Sequence, residues 1–101
     1  MAFVLLTMTY PNDKATEMGK KYLELVKSPP PSYVKITHIF AATDPIYGVK
    51  GYVLYEIEKE KLFDGLKTIA KRMGIFRDIE GWKYNVEPLL ETKDALALIG
   101  L

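Results

Sequence analysis

With one histidine, one tryptophan and no cysteine, this chain of 101 residues has few ways to do chemistry. The histidine, His38, lies in "YVKITHIF", a run that alternates as a strand does. Imidazole carries protons near neutrality, which makes His38 the candidate catalytic group. Alternation groups it with Val34, Ile36 and Phe40 on one face and sets Lys35 and Thr37 on the other. Among such neighbours a histidine is as readily a packing residue held by one hydrogen bond, and the grouping favours that role. A second constellation ends "GYVLYE". There Glu56 shares a strand face with Tyr52 and Leu54, so a carboxylate, a phenol and an apolar wall would meet a small ligand together. The plainer reading of Glu56 is a solvated carboxylate at a strand end.

Other chemistries lack their residues. One histidine and no cysteine give a metal ion almost nothing to bind, no disulfide framework exists, and no cofactor motif is present. "GVKG" has neither the glycine spacing nor the following helix start of a phosphate loop. The basic residues Lys67, Lys71, Arg72 and Arg77 fall mainly on the solvated side of a helix without interleaved aromatics, and the net charge is +1, so a nucleic-acid partner is not expected. Apolar runs such as Ala2 to Leu6 are far too short to span a bilayer, so no membrane partner is expected and the expected location is the cytoplasm. Glutamine is absent and asparagine occurs only at Asn12 and Asn85, while lysine and glutamate abound, a bias found in proteins from hot sources.

The elements that must position these groups can be read from periodicity. The length and the 49% hydrophobic content fit one domain over residues 1–101. "AFVLLTMTY" is apolar on both faces, as a central strand should be. Pro11-Asn12-Asp13 turns the chain, with Asn12 or Asp13 as N-cap, into a helix whose stripe is Ala15, Met18, Tyr22, Leu25 and Val26. Three prolines, Pro29 to Pro31, end it. The strand of His38 follows, then "TDPIYG" as a hairpin loop, then "VKGYVLYEI", again apolar on both faces. A second helix carries Leu62, Phe63, Leu66, Ile69, Ala70 and Met73, with Gly74 as C-cap. "GWKYNVEPLL" is an edge-like strand because Pro88 cannot serve a central ladder. Thr92 would cap a short helix running to Ile99.

Strand, helix, strand, strand, helix, strand is the split βαβ or ferredoxin-like plan, an α+β fold with a four-stranded antiparallel sheet and two helices on one face. Its first and third strands are expected in the middle. Both are apolar on both sides, so the face without helices is greasy too. The expected remedy is a homodimer with the two sheets packed face to face.

At "PPPSYVKI", "GYVLYE" and "YNVEPLLETKDAL" the chain resembles dimeric α/β-barrel proteins, and within that superfamily a small, uncharacterised domain-of-unknown-function family. The superfamily spans cofactor-free monooxygenases, haem-degrading enzymes, isomerases and ligand-sensing domains, so the resemblance implies a fold and selects no chemistry. Its cofactor-free monooxygenases combine histidine, asparagine and tryptophan, and His38, Asn85 and Trp82 supply the types. Trp82 and Asn85 are three apart on one strand and point to opposite faces, which counts against a shared pocket. Trp82 is retained with Tyr52 and Glu56 as a ligand-binding candidate. The functional expectation is a homodimeric barrel that binds a small apolar or aromatic molecule between its sheets. Two alternatives stand beside it: a cofactor-independent monooxygenase or isomerase with His38 as proton carrier, and a purely structural or interaction module. These residues fit an enzyme and a binding domain alike.

Overall fold

The computed structural model describes all residues 1–101. Along the chain come β1 (Ala2–Tyr10), α1 (Ala15–Leu25), β2 (Val34–Asp44), β3 (Gly48–Ile57), α2 (Leu62–Arg72), β4 (Lys83–Leu89) and α3 (Thr92–Ala97). The fold is α+β, with one four-stranded antiparallel sheet in the order β2-β3-β1-β4. The two strands that are apolar on both faces, β1 and β3, are its centre.

One face of the sheet carries the core. Val4, Leu6 and Met8 of β1 and Val53, Tyr55 and Ile57 of β3 point to the same side, where Met18 of α1, Ile69 of α2 and Phe76 close over them. Helix α2 lies very close to the sheet because Gly65 has no side chain. A Cβ there would stand 2.6 Å from Cδ1 of Ile57, which is fully buried. Phe63, expected on the apolar stripe of α2, is instead 71% exposed, with the Lys67 ammonium 5.0 Å above its ring.

The helix ends differ from those the sequence predicts. Neither Asn12 nor Asp13 caps α1 through its side chain. Pro11, extended at φ −65° and ψ 150°, opens a single 3-10 turn over Asn12–Lys14, and α1 starts only at Ala15. A proline fixed at that φ can launch the turn unaided, and the Lys14 N–H donates to its carbonyl at 3.0 Å. Gly74 is no C-cap either. It lacks the left-handed conformation such a cap needs and lies within a 3-10 turn, Met73–Phe76, that buries both end residues. Thr92 is the first residue of α3 rather than its cap, and α3 ends at Ala97.

The hairpin between β2 and β3 is closed by Asp44, whose Oδ1 accepts the Ile46 and Tyr47 N–H groups at 2.8 and 2.9 Å. Those two bonds hold its carboxyl below the usual carboxylate range, with Lys50 nearby adding to the effect. Gly48 follows at φ +105°, pressed so close to the backbone of Tyr10–Asn12 that no side chain would fit.

The molecule is a slab of 47 × 31 × 18 Å with a radius of gyration of 15.0 Å, against about 13 Å for a compact domain of this length. Its accessible surface is 6830 Å², where a folded monomer of this mass shows about 5,800 Å². No helix is long and apolar enough to cross a membrane.

Candidate functional site

Strand pairing arranges the side chains of the helix-free face as four rows that run across the sheet from β2 to β4. The first row is Lys35, Glu56, Phe3 and Leu89. The second is His38, Leu54, Leu5 and Glu87. Phe40, Tyr52, Thr7 and Asn85 make the third, and Ala42, Lys50, Thr9 and Lys83 the fourth. The middle of this surface is apolar and its margins carry the charges.

His38 stands on this face, and here the structure overturns the alternation read from sequence. Ile36 pairs with Tyr55 but His38 pairs with Leu54, so Thr37 is an extra residue and β2 bulges there. A bulge breaks the two-residue period. Val34 and Ile36 face the helices; after the bulge Ile39 takes that side, and His38 and Phe40 turn to the other. The Thr37 hydroxyl steadies the bulge by donating to the Leu54 carbonyl at 2.9 Å. His38 is therefore exposed and stacks on Phe40, ring centroids 5.6 Å apart and 8° from parallel.

Of the predicted ligand residues, Tyr52 and Glu56 share this face with His38. Glu56 makes an ion pair with Lys35 at 3.9 Å, and the Lys50 ammonium lies 5.6 Å from the centre of the Tyr52 ring. Trp82 does not join them. It precedes β4 and packs on the helix side, against Phe76 at 5.8 Å and Tyr84 at 4.9 Å, with its indole Nε1 buried and unpartnered. Asn85 lies on the open face, but on the opposite edge strand from His38, three strands or roughly 14 Å away. His38, Asn85 and Trp82 therefore form no common pocket. No three His, Cys, Asp or Glu side chains gather at one place.

A cavity lies elsewhere, between α1 and the helix side of β1, β2 and β3. Its volume is about 250 Å³, and 11 of its 13 lining residues are hydrophobic, Met8, Met18, Tyr22, Ile39 and Phe76 among them. Helix α1 lies over the middle of the sheet and leaves Ile36 and Ile39 of edge strand β2 37% and 47% exposed. Two glycines line the space. Gly19, four residues after Ala15 and three before Tyr22 on α1, borders the cavity at its exposed mouth, and a Cβ there would meet nothing within 4 Å. Gly51 forms part of the wall on β3, where a Cβ would come to 3.2 Å from Cγ of Met8. A smaller recess of about 90 Å³ adjoins it, sharing Met8, Tyr22, Ile39, Val53 and Phe76 and extending toward Leu25, Ile36 and Met73.

The cavity's polar side-chain groups are phenols. Tyr10 of β1 and Tyr22 of α1 are lining residues, and burial pushes the Tyr10 hydroxyl above its usual pKa, so it stays a neutral donor. Of the predicted site residues Tyr52 alone belongs to the cavity wall, as a residue of β3 whose side chain faces the other side of the sheet; His38, Glu56 and Trp82 do not line it. The signal for the cavity was in the sequence: a glycine within a helix, where it costs about 1 kcal/mol of helix stability relative to alanine.

No family model and no curated protein matches the chain. Among solved structures it is similar to a de novo designed protein, Foldit4, at 14% identity, covering 89% of this chain and 96% of that one with a TM-score of 0.52. It is also similar to part of a formyltetrahydrofolate deformylase from Pseudomonas putida KT2440, at 11% identity, covering 86% of this chain and 28% of that one with a TM-score of 0.47. At such identities the likeness to the designed protein concerns fold alone, and that to the deformylase carries no argument.

Proposed function

We propose that this chain is a ferredoxin-like domain of the dimeric α/β-barrel kind, which pairs through its helix-free sheet face and binds one small apolar or aromatic molecule per protomer under α1. The observation that carries the binding half is the cavity of about 250 Å³, lined almost wholly by hydrophobic residues and bordered by Gly19 at its mouth. A chain serving only as a structural module gains nothing from that gap, since a side chain at Gly19 would strengthen the helix. The ligand site thus moves from between the two sheets to the layer between sheet and helix.

Binding is favoured over catalysis by the same geometry. The residue type that exchanges protons near neutrality is histidine, and His38 stands on the far side of the sheet from the cavity. The pairing half rests on the open face, where Phe3, Leu5, Phe40, Tyr52, Leu54 and Leu89 form an apolar surface. The excess of about 1,000 Å² over a compact monomer's surface is of the size one protomer buries in a standard interface.

Native mass spectrometry of the protein purified from its own source tests both halves together. The expected species is a dimer carrying one small adduct per chain, released on denaturation. A bare monomer, with no uptake of a naphthalene fluorophore in solution, would refute the proposal.

A further inference from the structure

We infer that the two-fold axis of the dimer runs parallel to the strands, so that His38 of each protomer meets Glu87 of the partner and the two form the polar pairs that fix the interface. This rests on the pairing proposed above and adds its geometry.

Two sheets stacked with their strands aligned can be related by a two-fold axis lying along the strands or across them. An axis along the strands leaves position along the strand unchanged, so each row of the open face meets the same row of the partner, with β2 over β4 and β3 over β1. The second row then sets Leu54 against the partner's Leu5 and His38 against the partner's Glu87, each contact occurring twice. In the first row Glu56 keeps its own Lys35 and faces the partner's Phe3, while Lys35 lays its alkyl stem along the partner's Leu89. In the fourth row Lys50 faces the partner's Thr9, and Lys83 the partner's Ala42. No like charges meet.

An axis across the strands pairs the second row with the third. Glu87, on edge strand β4, then meets only the neutral amide of the partner's Asn85, and His38 meets Phe40. Glu56, already bound to Lys35, meets a second lysine, Lys50, and Leu89 meets Lys83. A carboxylate taken out of water needs a charged or well-bonded partner, which the first arrangement gives Glu87 and the second does not. The usual crossing of about 30° between aligned sheets leaves the match intact. It displaces facing side chains on the edge strands by roughly 4 Å, less than the row spacing of about 7 Å.

The same arrangement brings β2 of one protomer beside β4 of the other at both margins.

Charge exchange tests the inference, read as the dimer dissociation constant by sedimentation velocity. Both side chains are exposed in the single protomer, so the variants keep its fold, which far-ultraviolet circular dichroism checks. His38→Glu sets carboxylate against carboxylate twice and is expected to weaken the dimer about 100-fold or more. Adding Glu87→His to it restores the pair in reverse and is expected to return the constant to within about tenfold of the parent. The control exchange, Glu56→Lys with Lys50→Glu, should show no such rescue. Rescue only in the control, or in neither exchange, overturns the proposed axis while the dimer itself stands, and so does an undiminished dimer in His38→Glu. A parent protein that is monomeric at tens of micromolar removes the pairing, and this inference with it.

Discussion

Two helical glycines allow a sharp test, because alanine at each should change stability in opposite directions. Gly19 is the fifth residue of α1 and Gly65 the fourth of α2. In a helix interior alanine is favoured over glycine by about 1 kcal/mol. At Gly19 the added methyl meets nothing within 4 Å, so Gly19→Ala should gain about that amount, a rise of roughly 4–8 °C in Tm for a chain of this size. At Gly65 the same methyl lands 2.6 Å from Cδ1 and 2.9 Å from Cγ2 of Ile57, whose side chain has no exposed surface to move into. Overpacking of that kind costs about 1–3 kcal/mol, which offsets or outweighs the helix gain and gives a net loss of up to about 2 kcal/mol. Urea unfolding followed by circular dichroism, all at one protein concentration because a dimer's stability depends on it, measures both. Gly19→Leu extends the test to function: it should fill the cavity and abolish binding of a naphthalene fluorophore without loss of stability. Equal stability of the two alanine variants would refute the packing argument. Unchanged fluorophore binding by Gly19→Leu would refute the cavity as the site.

The open face and the core each give a further expectation. Leu54→Asp puts an unpaired charge at the centre of the proposed interface, which costs several kcal/mol in a desolvated contact, so light scattering should report a folded monomer. A persistent dimer would mean that the chain pairs through another surface. Tyr55 is held at a pKa of about 12 by burial, an effect opposed by the charge of Arg72. Its folded value lies above the unfolded one, so the associated stability is intact below pH 10 and is lost as the pH climbs toward 12, by up to about 3 kcal/mol. Tyr55→Phe should flatten that part of the alkaline decline in urea midpoints, and an equally steep decline would disprove the assignment. If the absence of glutamine and cysteine reflects a hot source, calorimetry should give a Tm above ~80 °C, and a value in the mesophile range would make the bias accidental.

What could be read from the sequence was whatever depends on neighbours along the chain. Val4, Leu6 and Met8 against Phe3 and Leu5 marked β1 as apolar on both faces and so central in the sheet, and Tyr52 and Leu54 against Val53 and Tyr55 did the same for β3. The inward stripe of α1 was legible to within a residue or two of its ends. Helix ends were misread because capping residues such as Asn12 and Thr92 announce a turn without fixing which residue starts the helix, and Pro11 had already done so. The side taken by His38 was hidden because the bulge at Thr37 exists only relative to β3, a pairing that no local period contains. The cavity was hidden for a related reason. It is the space two separate elements fail to fill, and its clearest mark, Gly19, was passed over because a glycine adds nothing to a hydrophobic pattern.

Thr37 also makes β2 a strand of two parities. Before it, even-numbered residues face the helices; after it, odd-numbered ones do. Remove one residue elsewhere in the strand and a run of side chains changes layers, sending isoleucines to the sheet's outer surface and charges inward. Remove Thr37 itself and the ladder becomes regular, with Ile36 still opposite Tyr55 and His38 still opposite Leu54. The direct hydrogen bond given up is the one from the threonine hydroxyl to the Leu54 carbonyl. The strand therefore carries a single spare residue, the one position where its length can change by one while both of its faces keep their partners.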